Sequence, residues 1–98
     1  MAKYDLSRRA TEDLYDIWSY TVDTWSEDQA DKYYTTLIKA FNYISSSPYR
    51  VGKSYDEIIL GLRGYHIRHH MVFYIIQANG RVLIARVLHE RRDYKRHL

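Results

Sequence analysis

The 98-residue sequence has no cysteine, one proline and four glycines. Without thiols it can build neither a disulfide framework nor a thiolate metal centre, and nothing marks an oxidising compartment, so the expected location is the cytoplasm. The charged opening MAKYDLSRRATEDL holds no apolar stretch of roughly 7–15 residues, so no signal peptide is expected, and no later window approaches a membrane span. Repeats, low-complexity tracts and Gly/Ser linkers are also missing. At 46% hydrophobic content, 98 residues suffice for one core but not two, so a single domain over residues 1–98 is expected. Glycine is too sparse for a phosphate-cradling loop: Gly61-Leu62-Arg63-Gly64 has neither the spacing nor the following helix.

What the sequence does contain is unevenly placed charge, and tyrosine. The formal charge of +3 is the resultant of −4 over residues 1–32 and +7 over residues 33–98. Such a split fits either an electrostatic partner for one surface, nucleic acid or an acidic protein, or a solvated mixed surface. Eleven tyrosines suit half-buried positions and binding surfaces, where one end of the ring stays wet.

Apolar residues recur from Ala10 through Leu14, Ile17, Trp18, Val22 and Trp25, the stripe of a helix whose N-cap is Ser7. Arg8 and Arg9 in its first turn sit slightly unfavourably against the helix dipole. Ser26-Glu27-Asp28-Gln29 has the form of a capping box, with Trp25 and Ala30 as its staple, and opens a second helix striped by Ala30, Tyr33, Leu37, Phe41 and Ile44. Pro48 ends it by biasing Ser47 away from helical torsions. A connection this short makes the two helices an antiparallel hairpin. Residues 2–6 read as a short strand and residues 49–60 as a surface loop. After Gly61 the period becomes that of strands: LRGYHIR, MVFYIIQ and RVLIARVLH form three consecutive antiparallel strands, the last two joined by a type I′ turn at Asn79-Gly80.

A two-residue loop fixes the register. Ala78 then faces Arg81, Ile76 faces Leu83, Tyr74 faces Ala85, Phe73 faces Arg86 and His70 faces His89. One face of the sheet carries Val72, Tyr74, Ile76, Leu83, Ala85 and Val87; the other carries Met71, Phe73, Ile75, Val82, Ile84, Arg86 and Leu88. Two helices can cover only one face of so small a sheet, so the second is expected to lie open for a partner.

Five segments in this order and spacing resemble the ParE branch of the RelE/ParE toxins: A-T-E-D-L-Y-D-I-W-S-Y at 10–20, A-D-K-Y-Y-T-T-L at 30–37, P-Y-R-V-G at 48–52, G-L-R at 61–63, and H-M-V-F-Y-I-I with I-A-R-V-L-H-E-R-R-D at 70–76 and 84–93. The resemblance covers roughly residues 3–93. It implies an α+β fold: a short N-terminal strand and an antiparallel helical hairpin packed on a three- to four-stranded antiparallel sheet. It also implies a toxin of a type II toxin-antitoxin pair that inhibits DNA gyrase and is neutralised by a cognate ParD-like antitoxin, as a hetero-oligomer. RelE-like relatives share the fold but cleave messenger RNA on the ribosome.

Cleavage of RNA through the 2′-hydroxyl needs a base, an acid for the departing 5′-oxygen, and cations around the phosphorane. His89 or Glu90 as base, Tyr94 or His70 as acid, and Arg63, Arg86, Arg91 and Arg92 as cations fill that inventory. Small basic domains commonly hold such residues, however, and the ending L-H-E-R-R-D resembles the ParE branch. It lacks the lysine-rich or paired histidine-tyrosine ending of the ribonuclease relatives. The expectation is therefore a non-enzymatic toxin without cofactor or metal; the alternative is a ribosome-dependent endoribonuclease using His89, Arg86, Arg63 and Tyr94.

On the first reading, Leu14, Trp18, Phe73, Ile84 and Arg86 meet the antitoxin, while His89, Arg91, Arg92, Asp93 and Tyr94 meet the target. Two of these residues have a purely structural reading beside the functional one. His89 could simply pair with His70 across the ladder, and Arg86 could stack on Phe73 or reach an acid on a partner. Asp93 is expected to pair with a neighbouring arginine in a solvated tail. The acids Glu12, Asp13 and Asp16 read as a solvated helix face. His66, His69 and His70 lack a converging carboxylate in the sequence, so no metal site is assigned to them.

Overall fold

The computed structural model describes residues 4–98. A single serine starts the architecture. The Ser7 hydroxyl accepts from the Ala10 amide at 2.9 Å and donates to the Ala85 carbonyl at 2.7 Å, so it caps helix α1 (Arg8–Thr24) and ties it to the sheet. The strand before it, β1 (Tyr4–Leu6), runs parallel to β5 (Val82–His89). Residues 2 and 3 of the expected strand lie outside the described residues. Helix α2 (Glu27–Ser46) is capped by Ser26, which accepts from the Gln29 amide at 3.1 Å. The expected staple does not form, because Trp25 is 74% exposed. Pro48 both ends α2 and begins the one-turn helix α3 (Pro48–Val51), where its missing N–H costs nothing.

Strands β2 (Lys53–Ser54), β3 (Arg63–Ile67) and β4 (His70–Ile76) complete a sheet of order β1-β5-β4-β3-β2, antiparallel except for the β1–β5 pair. The two edge strands extend the expected three-stranded meander. The helical hairpin lies on one face, where Leu14, Leu37, Phe41 and Ile44 pack against Val72, Tyr74, Val82, Ile84 and Val87. Each such side chain fully buried contributes about 1.5–3 kcal/mol.

The β4–β5 hairpin departs from the expected register. Gly80 has φ 85° while Asn79 is not at positive φ, the Gly80 amide bonds the Gln77 carbonyl at 2.9 Å, and the Gln77 amide bonds the Arg81 carbonyl at 2.8 Å. The loop is the three-residue form, residues 78–80, rather than a two-residue type I′ turn. This shifts the first pairs by one, to Ile76↔Val82, Ile75↔Leu83 and Tyr74↔Ile84. A bulge then leaves Ala85 unpaired, and the expected register returns from Phe73↔Arg86 to His70↔His89. Because a one-residue shift reverses the faces, Val82 and Ile84 point to the helices, not away from them.

The second face is not open, contrary to the expectation. Phe73, Leu88 and Met71 are 0%, 2% and 5% exposed, covered by Tyr55, Ile58 and Leu62 from one side and by Tyr94 and Leu98 from the other. Tyr94 belongs to the one-turn helix α4 (Tyr94–His97), which folds the chain end back onto the sheet. The stretches read as a surface loop and a solvated tail thus carry just enough apolar side chains to close the face. Gly64 makes room for this cover, since a Cβ there would stand 2.7 Å from the Tyr55 ring.

Candidate functional site

A cleft of about 740 Å³ opens where the helical hairpin meets the β3–β4 turn and the end of β5. Its walls include Asp13, Tyr20 and Trp25 from the α1 side, Lys32 and Tyr33 from α2, and Arg68, His70, His89 and Arg92 from the sheet end. Tyr20 and Trp25 are 68% and 74% exposed, a large apolar area for a surface position. Arg68 holds φ 52°, a left-handed conformation that costs a non-glycine residue free energy and sets its side chain at the turn.

The cleft floor is a hydrogen-bonded histidine. The Tyr33 hydroxyl lies 2.6 Å from His70 Nδ1 and accepts from the His69 amide at 3.4 Å. Burial, then the neighbouring His89 and His69, pushes His70 down to about 4. Its ring is therefore neutral at pH 7, and its Nδ1 accepts the tyrosine proton. Burial also raises Tyr33. His89 pairs with His70 across the ladder, rings perpendicular at 5.4 Å, and its Nδ1 accepts from the Arg91 amide. The structural reading of His89 is what these contacts describe.

Outside the cleft, Glu90 supplies a converging carboxylate that the sequence did not reveal. It lies 3.0 Å from His66 Nε2 and 3.2 Å from His69 Nδ1, and both hydrogen bonds hold it below the usual carboxylate range. The three side chains are paired with one another, and among the described residues no three such groups are placed to hold a metal ion.

Two cations of the ribonuclease inventory, Arg63 and Arg86, are committed to separate intramolecular bonds. Arg63 donates to the Pro48, Tyr49 and Gly52 carbonyls at 3.1, 2.9 and 2.7 Å, tying down α3 and its C-cap. Arg86 bonds within the chain instead of stacking on Phe73. Its Nε and Nη2 each donate to Asp13 at 2.8 Å and its Nη1 donates to the His97 carbonyl at 2.6 Å, with both charged side chains only 11–12% exposed. Asp13 also accepts the Val87 amide at 2.9 Å, on the edge of β5 that β1 leaves uncovered beyond Ile84, opposite the side paired with β4. It is therefore a largely buried ion-pair member, not part of a solvated helix face; Glu12 and Asp16 are exposed as expected. Tyr94 packs against Phe73 with ring centroids 4.9 Å apart and donates to the Glu90 carbonyl. Asp93 caps α4 by accepting from the Lys95 amide instead of pairing with arginine.

Of the residues expected to meet the antitoxin, Leu14, Phe73 and Ile84 are 5%, 0% and 0% exposed and offer no surface in this conformation. Trp18 is half-buried and donates from Nε1 to Asp31 at 3.1 Å. Among the expected target residues, His89, Arg91 and Arg92 are exposed, and Lys95 and Arg96 extend the same basic end. Lys32 and Arg68 on the cleft wall were missed, because nothing local in the sequence joins a helix lysine to a turn arginine.

A helical hairpin on one face of a sheet whose central strands form an antiparallel meander is the architecture of the RelE/ParE toxins. The fold is similar to a structure titled "Chromosomal ParDE TA system from P. aeruginosa", with TM-score 0.78, 15% identity and coverage of 88% of this chain and 92% of that one. It is also similar to a chain of the toxin-antitoxin complex RelBE2 from Mycobacterium tuberculosis, with TM-score 0.67, 21% identity and coverage of 89% and 95%. Residues 4–94 match the family described as ParE toxin of type II toxin-antitoxin system. Toxin ParE1 of Mycobacterium tuberculosis is 37% identical over 97 residues, covering 99% of this chain and 98% of that protein. Toxin ParE1 of Caulobacter vibrioides is 37% identical over 98 residues, covering 100% and 99%. The chain belongs to the ParE toxin family of type II toxin-antitoxin systems.

Proposed function

We propose that the chain inhibits DNA gyrase by binding it, without cutting nucleic acid itself, and that a cognate ParD-like antitoxin silences it in a cytoplasmic hetero-oligomer. Membership of the ParE family makes gyrase the expected target. The observation that carries the binding reading is the commitment of the would-be catalytic groups. Arg63 closes a backbone turn, Arg86 neutralises Asp13, and Tyr94 is packed on Phe73, so none of these three is turned towards His89, which shares the cleft wall with Arg68 and Arg92 instead. Stabilising a phosphorane requires those donors to converge on one point. The exposed cations Arg91, Arg92, Lys95 and Arg96 instead form a basic end suited to an acidic or nucleic-acid surface of the target complex.

The antitoxin's seat on this reading is the cleft rather than the second sheet face, which the chain covers itself. Tyr20, Trp25 and Tyr33 give a peptide apolar area, and Lys32, Arg68 and Arg92 give its carboxylates partners. Induction in cells tests the mode of action. Trapped gyrase–DNA breaks and an SOS response are expected, with transcript ends unchanged. New transcript ends clustered near codons on translated messages would replace this reading with the endoribonuclease one.

A further inference from the structure

Asp13 stands on the wall of the cleft and at the edge of β5 at once. The C-terminal strap beyond it is a one-turn helix, too short to persist alone because helix nucleation is unfavourable. Tyr94 packs on Phe73 and Tyr55 and bonds the Glu90 carbonyl, Leu98 lies against the same apolar cluster, and Arg86 Nη1 bonds the His97 carbonyl; together these hold it down. Arg86 is aimed at that carbonyl by the two bonds from its Nε and Nη2 to Asp13. One guanidinium thus joins the cleft wall to the strap.

We propose that Asp13 and Arg86 form a latch through which filling of the cleft releases the C-terminal strap from the second sheet face. A cation on the cleft's occupant competing for Asp13, or a shift of α1 as the cleft fills, withdraws the carboxylate. Arg86 then loses the fork that orients it, and the strap loses its anchor at His97. Release uncovers Phe73 and Leu88 and removes Lys95 and Arg96 from their fixed positions. The linkage is reciprocal, so lifting the strap loosens Asp13 by the same factor. The occupant's identity rests on reading the cleft as the antitoxin's seat, whereas the latch is a property of the free chain.

The free, full-length chain therefore tests the latch, and failure there leaves the antitoxin reading untouched. Tyr94→Ala removes strap packing without altering Asp13 or Arg86. Hydrogen exchange of the Val87 amide, which Asp13 holds, is expected to accelerate at least about fivefold, the low end of typical coupling, while amides of β4 remain unchanged. Asp13→Asn is expected to speed trypsin cleavage after Lys95 and Arg96 by a similar factor, with Glu12→Gln leaving it unaltered. Val87 exchange that is unchanged in Tyr94→Ala, or that accelerates only together with all of β4, overturns the latch whether or not Asp13→Asn folds.

Discussion

The difference between two neighbouring acids shows how little sequence spacing says about a residue's work. Glu12 pairs with Arg8 at 3.4 Å with both side chains more than half exposed, whereas Asp13 holds Arg86 and the Val87 amide at 12% exposure. Removing one member of a buried pair strands the other charge, so Asp13→Ala is expected to cost about 3–5 kcal/mol of stability in urea unfolding. Glu12→Ala should stay within about 0.5 kcal/mol; equal losses would mean the buried pair is not what stabilises this edge. The helix pattern treats Glu12, Asp13 and Asp16 alike. Only the crossing of α1 over β5 separates them, and that is a tertiary fact absent from any local window. His70 makes a pH prediction. Its value falls from 6.5 unfolded to about 4 folded, so the unfolded chain binds more protons between these limits. The histidine's stabilising contribution is therefore complete above about 6.5 and declines as pH falls towards 4. His70→Phe should flatten that part of a stability-versus-pH curve, measured by chemical denaturation at each pH.

At the scale of elements, caps were legible and turn length was not. Ser7 and Ser26 announce helix starts because a hydroxyl before an amphipathic run has one favoured use. Ser7 does more than that, since its bond to the Ala85 carbonyl anchors the bulge. Ser7→Ala is expected to cost about 1–2 kcal/mol, and backbone amide shifts should spread from α1 to residues 84–86, where a cap acting alone would leave β5 undisturbed. Asn-Gly correctly marked the β4–β5 hairpin, but the same dipeptide serves two- and three-residue loops. The choice here is coupled to the Ala85 bulge, which lets Val82 and Ile84 join the helix-side core while Phe73 and Leu88 stay on the other. Gly80→Ala forces an alanine to φ 85°. A loss of about 1–2 kcal/mol is expected from that strain, and a fully stable variant would contradict the three-residue loop.

At the scale of the molecule, the helical hairpin, the meander and the ParE resemblance were readable because they depend on periodicity and order. The closing of the second face was not. It depends on a few apolar residues, Tyr55, Ile58, Leu62, Tyr94 and Leu98, scattered through stretches dominated by charge and turn residues. With that face closed, the cleft and the basic C-terminal end remain exposed, while Arg63 and Arg86 of the ribonuclease-like set are held in structural bonds. The most direct test is a gyrase supercoiling assay with the purified chain, run with and without its cognate antitoxin. The expected result is loss of supercoiling with trapped DNA breaks, restored by antitoxin. Undiminished supercoiling, accompanied by cleavage of messenger RNA on purified ribosomes, would contradict it.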